Sequence, residues 1–126
     1  MRNVESGVSM VEVLVAMSLL AISGLAVTQS TIRAFGTLNQ SYRTSVASQI
    51  ALDKIENLAQ QDPSTIQSTS NETNSSVTQS GLQFLRSTRV TVNSDGSRTI
   101  IVSVTSPTGS PGTASLTTTL PLWGNS

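Results

Sequence analysis

The stretch Gly7-Val8-Ser9-Met10-Val11-Glu12-Val13-Leu14-Val15-Ala16-Met17-Ser18-Leu19-Leu20-Ala21-Ile22-Ser23-Gly24-Leu25-Ala26-Val27 decides how this chain is read. Between Val8 and Val27 the single charged side chain is Glu12. A helix of about 20 apolar residues spans the ~30 Å hydrocarbon core of a bilayer. That core offers the backbone no water, so the segment is expected to be helical. Glu12 is the anomaly. A carboxylate in a span costs about 2.5–3.5 kcal/mol on insertion scales, so its presence marks a functional position.

The order of features around the span is informative. Met1 to Ser6 carry Arg2 and Glu5. A secretory signal peptide has a basic start, a shorter apolar run and a small-residue cleavage site after that run. Here the small residue, Gly7, precedes a longer apolar run. That order fits cleavage on the cytoplasmic side, with the helix kept on the mature protein. A plain uncleaved signal anchor would explain the hydrophobicity but leave Glu12 without a reason.

Gly7-Val8-Ser9-Met10-Val11-Glu12 resembles the prepilin processing site of type IV pilins and related pseudopilins: a short polar leader ending in Gly, then an apolar helix with Glu at its fifth position. Through Val13-Leu14-Val15-Ala16 the resemblance is closest to PilV-type minor pilins and to minor pseudopilins of type II secretion. Two positions depart from the common pattern: Glu5-Ser6 rather than a basic residue precede Gly7, and Val8 rather than Phe follows it. The resemblance implies a leader over residues 1–7, cut by prepilin peptidase between Gly7 and Val8, and N-methylation of Val8. It implies that the Glu12 carboxylate faces the new amino group of Val8, within one helix or across to a neighbouring subunit. A carboxylate in an apolar medium needs an opposite charge or it protonates. The implied partners are other major and minor pilins, the peptidase and the inner-membrane assembly platform. The implied location is a single pass in the inner (cytoplasmic) membrane with the head outside the cytoplasm, then a pilus or pseudopilus. The implied role is a structural minor pilin acting as a priming or tip subunit. A type II secretion pseudopilin and a DNA-binding or adhesive tip pilin are the alternatives.

At 126 residues the chain has room for one small domain besides the span. Seven basic and seven acidic residues cancel, so no global field attracts nucleic acid. Cysteine and histidine are both absent, which removes disulfides, thiolate metal sites, the commonest metal ligand and the usual general base. No catalytic or metal-binding set and no cofactor is expected. Aromatics are few, so the soluble core must be thin and aliphatic.

Helical periodicity continues past the span, over an amphipathic second half assigned to residues 29–62 after an apolar half at 8–28. Leu38, Tyr42, Val46 and Ile50 recur every four residues, and Ala51, Ile55 and Leu58 continue the stripe. Asp62-Pro63 ends it, because Pro excludes the preceding residue from helical geometry. One helix from Val8 to Gln61 would run ~80 Å at 1.5 Å per residue. Asp53, Lys54 and Glu56 read as a solvated face of it.

Residues 63–81 are rich in Ser and Thr, lack periodicity and are expected to form a loop. The head is assigned to residues 82–126. Leu82–Val92 and Arg98–Thr105 flank Asn93-Ser94-Asp95-Gly96-Ser97, a hairpin signal, and Ala114–Leu120 follows a Pro/Gly turn. Alternation places Val90, Val92, Ile100, Val102, Val104, Leu116 and Leu120 on one face. That face is expected to pack on the helix around Tyr42 to Leu58. The expected fold is thus α+β and pilin-like: one long N-terminal helix carrying an antiparallel sheet of about three strands. Trp123 is expected to plug the core. Arg86, Arg89 and Arg98 lie on or beside the hairpin as a candidate ligand patch, weighed against the commoner role of charges in guarding sheet edges.

Overall fold

The computed structural model describes residues 7–67, 70–107, 109 and 112–121. Its elements are one helix, α1 (Met10–Ala59), and four strands, β1 (Glu72–Gln79), β2 (Leu82–Val92), β3 (Arg98–Thr105) and β4 (Ala114–Leu120). The chain divides into two units, Met1–Leu38 and Asn39–Ser126.

The first unit is the apolar half of α1. Its side chains are exposed throughout, Leu20 at 74% and Leu25 at 66% among them. An 18-residue window of α1 is long and apolar enough to cross a membrane, and none of it is buried. Four of the hydroxyls within it are satisfied locally. Ser18, Ser23, Thr28 and Thr31 donate to the carbonyls of Leu14, Leu19, Gly24 and Val27 at 2.7–2.9 Å. Such i−4 bonds let a hydroxyl enter an apolar medium without an orphaned donor.

In the second unit the sheet order is β1-β2-β3-β4, antiparallel throughout. Alternation sorts its faces. Phe84, Thr88 and Val90 on β2 and Ile100, Val102 and Val104 on β3 are buried. The apolar ones among them form one core cluster with Val46, Ala47, Ile50, Ala51 and Leu58 of α1 and with Ile66, while Leu116 and Leu120 of β4 lie partly buried at its border. The expected architecture of a long helix with an antiparallel sheet packed against it is the one observed.

Several details differ from expectation. The sheet has four strands, because residues 72–79 of the Ser/Thr-rich segment form β1 rather than loop. Val77 is the only large apolar side chain in that strand, so alternation hardly marked it. The β1–β2 turn is the two-residue pair Ser80-Gly81, both at positive φ (52° and 74°), the geometry of a tight hairpin. Helix α1 starts at Met10 and ends at Ala59, short of the expected Val8 and Gln61. Tyr42 is exposed, so the packed stripe begins a turn later at Val46. Val92 is exposed at the end of β2, and Phe84, near the start of the same strand, supplies the large side chain of the core instead. Trp123 lies outside the described residues.

The β2–β3 turn follows the sequence signal closely. Gly96 adopts φ 83°, its N–H donates to the Asn93 carbonyl at 3.0 Å, and Asn93 N–H donates to the Ser97 carbonyl at 2.9 Å. Asp95 fixes the turn by accepting from the Ser97 hydroxyl and N–H.

Candidate processing and assembly segment

The residues singled out at the N-terminus occupy the first turn of α1 and the chain just before it. Gly7, Val8 and Ser9 are outside the helix and exposed. Ser9 stops the helix. Its hydroxyl accepts the Val11 N–H at 3.3 Å, and its carbonyl accepts the N–H groups of Glu12 at 2.9 Å and Val13 at 3.2 Å. This is N-cap behaviour, in which a short polar side chain takes up an orphaned donor of the first turn. Ser9 was missed as a site residue. Its Ser-x-x-Glu spacing to Glu12 is the signal that marks it.

Glu12 therefore sits in the first turn, where the aligned peptide dipoles favour a negative charge. Its side chain is exposed. The ion pairs among the described residues are Lys54–Glu72 and Arg86–Glu72, and Glu12 is in neither. Gly7 and Val8 thus lie in accessible, non-helical backbone just before a helix whose first-turn acid has no ion-pair partner among the described residues.

Residues 2–28 match the prokaryotic N-terminal methylation motif. It is a type IV prepilin-like signal. The motif spans Gly7, Val8, Ser9 and Glu12 together with the apolar half of α1 up to Thr28. Neither a curated protein nor a solved structure matches the chain. The methylation motif points to a structural protein of the pilin or pseudopilin kind. With the exposed apolar helix, it is consistent with membrane anchoring and pilus assembly.

The three arginines of the head are separated by the strand pleat. Arg86 lies on the helix side of β2, where its Nε donates to Glu72 Oε2 at 2.9 Å and its Nη2 to Glu72 Oε1 at 3.3 Å. Lys54 Nζ reaches the same Glu72 at 2.8 Å, and Thr88 Oγ1 donates to it at 3.3 Å. Glu72 thus ties β1 to α1 and β2. Burial works to raise the Glu72 carboxyl, but the hydrogen bonds and charges of Lys54 and Arg86 outweigh it and hold the pKa below the ordinary value of 4.5. The sequence reading placed Lys54 on a solvated helix face; only Asp53 and Glu56 are exposed there. Arg98 donates to the carbonyls of Ile66 (3.0 Å) and Gly96, clamping the segment after α1 to the hairpin. Arg89, three residues from Arg86, faces the other side of the sheet and is exposed.

Proposed function

We propose that this chain is a minor pilin, a structural subunit of type IV pili used at priming or at the tip. Prepilin peptidase cuts between Gly7 and Val8, and Val8 is N-methylated. The mature helix rests as a single pass in the inner membrane with the head outside the cytoplasm. The assembly platform then draws it into a bundle with the helices of other major and minor pilins. The observation that carries this reading is the methylation motif over residues 2–28 on a helix whose N-terminal half, up to Leu38, exposes its apolar side chains. Such a surface needs lipid or other helices to cover it. An exposed, non-helical Gly7–Val8 segment ahead of the Ser9 cap suits entry into a protease.

Glu12 acts as the alignment point in this scheme. In the bundle its carboxylate pairs with the methylated amino group of Val8 on a neighbouring subunit, which rewards one axial register. Losing one partner of a buried pair costs about 3–5 kcal/mol. Glu12→Val is therefore expected to insert and be cleaved normally but to be nearly absent from sheared filaments, as read by immunoblot. Wild-type incorporation of that variant would remove the pairing role.

A further inference from the structure

Beside the bulge of β1 between Glu72 and Ser75 is an open cleft of about 420 Å³, lined mainly from the sheet face turned away from α1, with Glu72 and Thr88 reaching it from the helix side. Its lining includes Asn71, Glu72, Thr73, Arg89, Ile101 and Ser103. That volume falls within the range of small-ligand sites. Arg89 enters neither ion pair of the described residues and none of their side-chain hydrogen bonds. Glu72 borders the cleft, but both its oxygens are engaged by Lys54, Arg86 and Thr88. Two cations on one acid, with Arg89 added, leave the local balance positive. The Asn71 side-chain oxygen is committed to the Val90 N–H at 2.7 Å, which holds the side chain still and leaves its amide donors to the cleft. Ile101, opposite Arg89 across the β2–β3 ladder, adds an apolar surface.

We propose that this cleft binds a carboxylated saccharide of the uronic-acid kind. Arg89 takes the carboxylate, Asn71 and Thr73 take ring hydroxyls, as does Ser103 with the hydrogen-bonding capacity its hydroxyl keeps beside the Ser115 hydroxyl at 3.3 Å, and the C–H face of the ring lies on Ile101. A planar guanidinium suits a carboxylate. Nucleic acid fits less well: its binding rests on several phosphate contacts and aromatic stacking, and the lining offers one unengaged cation and no aromatic ring. The site is independent of how the N-terminal segment is used.

The test is amide chemical-shift titration of the ¹⁵N-labelled full chain in detergent micelles, with galacturonate, neutral galactose, inorganic phosphate and a short single-stranded oligonucleotide as separate probes. Galacturonate is expected to shift Thr73, Arg89 and Ser103 saturably. Galactose is expected to bind at least about tenfold more weakly, as is galacturonate to Arg89→Gln. Ser103→Ala keeps the charge and the ladder and is expected to lose affinity severalfold, which keeps the test open should Arg89→Gln disturb the sheet. No saturable shift with galacturonate, unchanged affinity in either variant, or equal or tighter binding of phosphate or the oligonucleotide would overturn the proposal.

Discussion

Glu72 holds the head together through a single carboxylate, and its protonation should be visible in stability. Its folded-state pKa is depressed below 4.5, so its contribution is complete above that value and is lost as pH falls through the folded pKa. Asp95, held low by the Ser97 hydroxyl and N–H, and Asp62, held low by the Ser64 N–H and hydroxyl, act with the same sign. Hydrogen-exchange protection of β3 amides should thus be flat near neutrality and decline in acid. Glu72→Gln is expected to lower that protection at pH 7 by about 1–3 kcal/mol, since two cations are left facing a neutral amide. It should also flatten part of the acid slope. An acid profile unchanged in Glu72→Gln would show that the carboxylate does not stabilise the head. Gly112 is a second sensitive residue. Its φ is 125°, and a Cβ built there would lie 2.8 Å from Arg43 Cβ. Gly112→Ala is expected to cost about 1–3 kcal/mol through backbone strain and that contact, measured by denaturant unfolding of the head. An unaltered midpoint would contradict the close approach.

At the scale of elements, the sheet depends on β3, which like β2 has neighbours on both sides and which carries three fully buried side chains, Ile100, Val102 and Val104. Ile100→Ala should destabilise the head by about 2–5 kcal/mol, because a thin aliphatic core has few neighbours able to collapse into the space. A loss under about 1 kcal/mol by the same unfolding measurement would mean that the sheet does not pack as described. β3 was also the strand most legible in the sequence, since Ile100, Val102 and Val104 recur at every second position, with Thr99, Ile101 and Ser103 between them. β1 was not legible, because its inward positions are Ser75, Val77 and Gln79, and polar side chains can face inward at a sheet border without an apolar signal. Its nearest clue was Ser80-Gly81, a turn pair whose meaning depends on strands at both sides. The helix was legible as an element and blurred at its ends. Ser9 set its start by a hydrogen bond that apolar periodicity does not register, and its last residue fell at Ala59, before Pro63 intervened. Of the candidate sites, Gly7, Val8 and Glu12 stand out in the sequence because their spacing is local. The fate of Arg86, Arg89 and Arg98 could not, because it depends on strand parity and on Glu72 arriving from a strand that sequence did not reveal.

The whole molecule joins two pieces of different solvent preference on one chain. The half of α1 before Leu38 exposes Val, Leu, Ile and Met side chains with no protein over them, while the unit from Asn39 onward buries its own core. Its fully exposed apolar surface makes the first piece unsuited to water and suited to lipid or to a bundle of like helices. On the proposed reading, the motif at residues 2–28 gives a route from one to the other, by removal of the leader and retention of the helix. The most direct measurement is intact mass and N-terminal sequence of the protein recovered from sheared surface fibres. The account predicts a chain that begins at N-methylated Val8 and keeps the apolar helix. A chain that begins at Met1, or one that has lost everything up to Val27, would contradict it.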